Sequence, residues 1–227
     1  RAAACSNAER DYLIAAANSF FRSGISRDDI VTTFSGVRPL YDDGASSASA
    51  ATRDYVLTCE DEGGAAALVN VFGGKITTYR RLAEHVMDRL HPYFPGLGTS
   101  WAGNEPLPGG DFAIEDRQAL IVRLQRTLEF LTAEWATRLV TAYGMDAFMI
   151  LEGAVSREDL GQHFGGTLHA REVDWLVTRE WATSADDILW RRSKLGLVLT
   201  AAEASVLDSH LGGTRKASAG DNVAVAE

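Results

Sequence analysis

Between Val69 and Leu82 the chain reads Val-Asn-Val-Phe-Gly-Gly-Lys-Ile-Thr-Thr-Tyr-Arg-Arg-Leu, and its hydrophobic period changes at the two glycines. Residues 66–72 are an apolar run of strand length. From Tyr79 onward, Tyr79, Leu82, Ala83, Val86 and Leu90 fall on one helical face, and Arg80, Arg81, Glu84, Asp88 and Arg89 lie mostly elsewhere. A strand that stops at Gly73-Gly74 and turns into a helix leaves bare backbone N–H groups at a positive helix end. Such an end suits an anion or an electron-rich ring edge, and glycine lets that partner approach the backbone. The junction reads equally as an ordinary tight turn, where glycine is common; Thr77 and Thr78 tilt it toward ligand contact. It is not a phosphate loop of the Walker type: Val69 stands where the first glycine belongs, and Ile76 where Ser or Thr must follow the lysine.

Around this junction the elements follow in order. Ser6-Asn7-Ala8-Glu9 is a capping box. It opens a helix expected to bury Tyr12, Leu13, Ala16 and Phe20 and to end near Ser23-Gly24. Residues 29–43 mix β-formers with Gly36 and Pro39 and predict an irregular strand that delivers Arg38 to a site. Residues 55–60 and 65–72 predict a hairpin turning at 61–64. Residues 93–111, rich in Pro and Gly, form a connector, with 107–111 (Leu-Pro-Gly-Gly-Asp) its closing turn. Beyond it the pattern is helical. Leu120, Ile121, Leu124 and Leu128 form one stripe, Trp135, Leu139 and Val140 another, and Val173, Leu176, Val177 and Trp181 a third. Ser156 to Asp159 reads as a cap, Ser184 to Asp187 opens a helix through Trp190 and Leu195, and Thr200 to Glu203 is a second capping box. The fold class expected is α+β, mainly helical. A mixed strand/helix segment (1–92) is followed by the connector (93–111), an all-α domain (112–211) and a disordered tail (212–227).

Composition narrows the function. The 227 residues carry a net charge of −9, with no basic run, which argues against a nucleic-acid partner. No stretch of eighteen apolar residues exists to span a bilayer. Cys5 and Cys59 form no CxxC pattern, and a reducing compartment is the simpler reading. His85, His91, His163, His169 and His210 have no metal-ligand spacing and read as surface or structural residues. The chain opens on Arg1 and shows no signal peptide, so it is expected to be part of a longer polypeptide. Arg38, set between a Gly, a Pro and apolar residues, reads as a cation needing a carboxylate or a phosphate. Arg53 has the same two readings, with Asp54 adjacent as a local partner. Asp186-Asp187 before Arg191-Arg192 reads as charges matched to a helix rather than a catalytic pair.

Taken in order, Gly36-Val37-Arg38-Pro39-Leu40, Thr52-Arg53-Asp54-Tyr55, residues 71–80, residues 107–111 and residues 185–197 resemble the C-terminal part of FAD-dependent, quinone-linked glycerol-3-phosphate dehydrogenases. The resemblance implies oxidation of sn-glycerol 3-phosphate to dihydroxyacetone phosphate, with hydride passing to flavin and electrons onward to a membrane quinone. It implies FAD contacts at Gly73, Gly74, Lys75, Ile76 and Thr77, and a substrate-phosphate site of Arg38, Lys75 and Arg53. It places the dinucleotide fingerprint and the catalytic base upstream of this sequence, so that residues 1–227 alone should be inactive. It implies a cytoplasmic protein, peripheral on the inner face of the membrane, and admits a homodimer. An oxygen-using glycerophosphate oxidase is the nearest alternative. A non-catalytic helical interaction module is the other, which would have no use for Arg38, Gly73, Gly74 and Lys75.

Overall fold

The computed structural model describes residues 3–37, 40–42, 44, 52–61 and 66–221, with 213–221 as backbone. The chain divides into two units, Arg1–Glu105 and Pro106–Glu227.

The first unit begins with helix α1, Asn7–Phe20. Its capping box is made as the sequence reads: Glu9 N–H donates to Ser6 Oγ, and Ser6 N–H donates to the Glu9 carboxylate at 2.8 Å. Arg27 then grips Asp11 through Nε and Nη2. The helix stops at Phe20, short of Ser23-Gly24, and residues 30–37 form no strand. Arg38 and, of the turn expected at 61–64, residues 62–64 lie outside the described residues. Strands β1, Tyr55–Glu60, and β2, Leu68–Gly73, pair antiparallel, and helix α2, Tyr79–Leu90, follows.

The expected burial of the α1 face does not occur. Tyr12, Leu13 and Phe20 are 72%, 60% and 86% exposed, and Ala16 is half-buried. Periodicity says which face wants cover; it does not say that the same unit supplies it. Among the described residues of this unit none is fully buried. Native-state hydrogen exchange on the 227-residue chain should therefore show weak protection in α1 and α2, and strong protection in the second unit's core helices. Amides of α1 exchanging as slowly as that core would contradict this.

The second unit holds the core. Helices α3, Arg117–Thr127, and α4, Ala133–Tyr143, pack together, with Leu120, Ile121, Leu124, Trp135, Leu139 and Val140 all buried as the stripes require. Short helix α5, Asp146–Ile150, leads to a two-stranded antiparallel hairpin, β3 His163–Gly165 and β4 Leu168–His169. This hairpin interrupts the otherwise helical half; Gly165 (φ 124°) and Gly166 (φ 54°) turn it. Helix α6, Ala170–Glu180, buries Val173 and Leu176, but Trp181 is 83% exposed and not part of that stripe. Instead Trp181 ends the helix in a left-handed conformation.

Asp187–Arg192 is a π-helical turn rather than an α-helix, closed by Ser193 N–H to Ile188 O at 3.0 Å. Asp187 heads it. Its carboxyl is held far below the usual carboxylate range, chiefly by the Thr183 N–H and then by the Thr183 hydroxyl. Arg191 pairs with it one turn later, at 2.9 Å. Trp190 lies over Gly196 so closely that a Cβ there would stand 2.4 Å from the indole. Helix α7, Ala201–Asp221, opens on the Thr200/Glu203 capping box and buries Leu207 and Leu211. Its backbone runs to Asp221, past the Gly213 where composition predicts a tail.

Residues 107–111 serve this core directly. Met145 N–H donates to Gly109 O at 2.8 Å, and Gly110 N–H to Leu107 O at 2.7 Å. Gly109 and Gly144 both have positive φ, 72° and 55°. The loop is thus docked, backbone against backbone, on the end of α4.

Candidate functional site

The β1–β2 ladder runs from Glu60↔Leu68 to Tyr55↔Gly73. Arg53 precedes the last pair by two residues on one strand, and Lys75 follows it by two on the other. The register therefore brings both cations to the same open end of the hairpin. Both are exposed, and neither forms an ion pair among the described residues. The local alternative for Arg53 is not realised. Asp54 turns its carboxylate on its own chain and accepts from Tyr55 N–H at 3.0 Å.

Between the two cations the backbone is forced. Gly73 has φ 68° and Gly74 φ 96°, conformations that L side chains rarely adopt. Lys75 returns to extended geometry and opens a 3₁₀ turn, Ile76–Thr78, which passes directly into α2. No side chain caps this turn. Thr78 N–H and Thr78 Oγ1 both donate to Lys75 O, at 3.0 and 2.9 Å, so the turn is closed from below. The first N–H groups of such a turn have no intrahelical acceptor, and here they belong to the exposed residues Ile76 and Thr77. The helix end carries the partial positive charge of the macrodipole. The result is a shelf of uncapped N–H groups flanked by two cations that are unpaired among the described residues.

Two clamps hold the shelf, and the sequence reading missed both. Tyr55 Oη lies 2.6 Å from His85 Nδ1, tying β1 to α2 beside Gly74. At the other end of the strand, Tyr93 donates to Asp61 at 2.7 Å. That hydrogen bond, then desolvation, then the Cys59 thiol 4.0 Å away push the Tyr93 hydroxyl above its ordinary range. His85 lies one turn after Leu82, next to the apolar stripe, which was the signal that it faces the strand rather than solvent.

Residues 100–210 match the family model described as the C-terminal domain of alpha-glycerophosphate oxidase. The aerobic glycerol-3-phosphate dehydrogenase of Escherichia coli (strain K12) is 47% identical over 198 residues, covering 87% of this chain and 39% of that protein. A glycerol-3-phosphate dehydrogenase of Pseudomonas aeruginosa is 44% identical over 208 residues, 92% of this chain and 40% of its own length. The chain belongs to the glycerol-3-phosphate dehydrogenase family, as a C-terminal portion. It spans about two fifths of the length of these relatives. A D-erythritol 1-phosphate dehydrogenase of Brucella abortus is similar to the same degree, 47% identical over 195 residues, 86% of this chain and 39% of that protein. These matches are too long for the Gly73–Gly74 junction to fall outside them, so the junction lies within the stretch that is similar to these relatives.

Proposed function

We propose that residues 1–105 form one wall of the active site of an FAD-dependent polyol-phosphate dehydrogenase acting on sn-glycerol 3-phosphate. The observation that carries this is the uncapped helix start after Gly73-Gly74, flanked by unpaired Arg53 and Lys75. The residues fit a flavin edge: positive φ at two successive glycines brings bare backbone to the surface, and exposed N–H groups wait at a positive helix end. Gly73, Gly74, Lys75, Ile76 and Thr77 would hold the pyrimidine side of the ring. When bound, the flavin supplies the two-electron acceptor. Arg53 and Lys75, joined by Arg38, orient the substrate by its phosphate, the guanidinium forks matching the oxyanion. Lys75 has a place in both roles, since it follows the glycines directly and heads the turn that opens α2. The electrons then pass to a membrane quinone. Reaching that quinone would put the protein on the inner face of the membrane as a peripheral partner of the quinone pool. No helix of the described residues is long and apolar enough to cross a membrane.

The test is Arg53→Ala in the full-length polypeptide. Loss of a charge-assisted phosphate contact costs about 2–3 kcal/mol, so the KM for glycerol 3-phosphate should rise by about 30- to 150-fold. The flavin-to-protein ratio should be unchanged, because Arg53 is not among the ring contacts. An unaltered KM would remove Arg53 from the phosphate site. The similarity to the erythritol-phosphate enzyme gives a second reading of the substrate; comparing kcat/KM for D-erythritol 1-phosphate and glycerol 3-phosphate on the same preparation decides between them. Hydrogen peroxide production against quinone reduction decides between oxidase and dehydrogenase.

A further inference from the structure

The second unit contains a cleft between the start of α4 and the β3–β4 hairpin, enclosing about 350 Å3. Its walls include Thr132, Trp135, Arg157, Glu158, His163 and His169. Trp135 and His169 are buried, 3% and 7% exposed, and stack with ring centroids 5.0 Å apart and planes at 16°. His163 lies on His169 with centroids 4.7 Å apart. The Arg157 guanidinium stands 5.4 Å from the Trp135 ring and forms no ion pair among the described residues. The Trp135 indole N–H is buried without a hydrogen-bond partner there.

Hydrogen bonds assign the imidazole protons. His163 Nε2 lies 3.0 Å from Gly166 O and His169 Nδ1 3.2 Å from Thr167 O; a carbonyl only accepts, so these nitrogens carry hydrogen. His163 Nδ1 and His169 Nε2 keep their lone pairs in the neutral rings and become donors on protonation. The acids nearby are mostly committed elsewhere. Glu172 of α6 accepts from Arg138 and Tyr143. Glu203 of α7, which faces His163, accepts from the Thr200 N–H and hydroxyl. Glu158 stands on the wall with Arg157 as its neighbour. Burial holds the His169 pKa below its usual value; the Thr167 carbonyl opposes this, and the charges of His163 and Arg157 add to it. The cleft thus sets Arg157, unpaired among the described residues, beside two imidazoles, with the positive end of α4 opening at Thr132.

We propose that this cleft binds a phosphate-class oxyanion, either inorganic phosphate or the phosphate of a small phosphomonoester. Arg157 and the protonated His163 hold it above the Trp135–His169 floor. The volume lies at the small end of small-molecule sites, and the arginine fork matches a tetrahedral oxyanion. The site belongs to the helical unit and is independent of the flavin reading.

The 227-residue chain is titrated with sodium phosphate at constant ionic strength near pH 6 and pH 8, either side of the imidazole range, following the imidazole NMR signals. Sulfate, doubly charged throughout, separates the titration of the histidines from that of phosphate. Saturable shifts at His163 and His169 are expected, at least about tenfold tighter at the lower pH for sulfate. Affinity should fall at least about tenfold in Arg157→Ala and in His163→Asn, and stay unchanged in Arg126→Ala. Glycerol 3-phosphate binding more tightly than phosphate assigns the ester as ligand; equal affinity assigns free phosphate. A linear response, or the same curve in Arg157→Ala as in the parent chain, overturns the proposal.

Discussion

Gly144→Ala is expected to destabilise the second unit by about 3 kcal/mol or more, through backbone strain added to overpacking. Gly144 caps α4 at φ 55°, ψ −125°, a region closed to alanine. A Cβ there would also stand 2.0 Å from Gly109 O. The converse holds at Gly109, where a Cβ would stand 2.1 Å from Tyr143 O. Neither obstacle is a flexible side chain, so relief requires the two backbones to part, and the bond from Met145 N–H to Gly109 O goes with them. Thermal unfolding followed by near-UV circular dichroism should show a midpoint lower by about 10 °C or more. Gly153→Ala is the control: its φ is also positive, at 72°, but nothing lies within 4 Å of the added methyl. Its cost should be the conformational strain alone, about 1–2 kcal/mol. Equal losses at 144 and 153 would show that docking of the 107–111 loop contributes nothing.

Glu172→Ala should cost about 3–5 kcal/mol, the range for removing one partner of a buried ion pair. The carboxylate accepts from Arg138 Nη1 and Nη2 and from the Tyr143 hydroxyl, each at 2.7 Å. Its side chain is 4% exposed, and that of Arg138 20%. Without it a desolvated guanidinium keeps only Thr167, at 2.8 Å from Nε, and the phenol loses its acceptor. The environment already shows this tension: burial pushes the Tyr143 hydroxyl far above its ordinary range, and the Glu172 charge adds to it. Replacing the whole group with Arg138→Met, Tyr143→Phe and Glu172→Met should restore most of the loss, because no buried charge is then stranded and only the half-buried Thr167 hydroxyl loses a partner. Urea unfolding of the three chains measures both. A triple variant as unstable as Glu172→Ala would mean that the charges stabilise by more than their desolvation costs.

Local chemistry was legible in the sequence. The Ser6 and Thr200 capping boxes depend on residues three apart, and each forms as read. β1 spans the predicted residues because its bounds are set by composition. The stripes of α3 and α4 bury what they predict because both faces meet within one unit. What depends on distant partners was not legible. The 107–111 loop read as a connector because the reason for its glycines lies at Tyr143 and Gly144. The β3–β4 hairpin passed unnoticed although Gly165-Gly166 is a turn signal; its strands are too short, with one apolar residue on each side of the turn, for alternation to show. At the candidate site, the glycines and Lys75 were legible from the change of period. The convergence of Arg53 on Lys75 needed the strand register, and the Tyr55–His85 clamp needed the packing of α2. Arg38 rests on sequence alone.

A helical turn that closes on the fifth residue holds one residue more than an α-turn does, and at Asp187–Arg192 both ends of that surplus are anchored. Trp190 is seated on Gly196, while Arg192 donates through Nε and Nη2 to Glu180 O at 3.0 and 2.6 Å. Deleting any residue between these anchors would rotate the rest by about 100°, carrying either the indole off its glycine or the guanidinium off its carbonyl. Single exchanges of side chain leave that phase intact. The segment is thus closed to any change of length, open to side-chain exchange only at its exposed positions such as Arg191, and variation in length among related chains should collect in exposed stretches such as 152–153 instead.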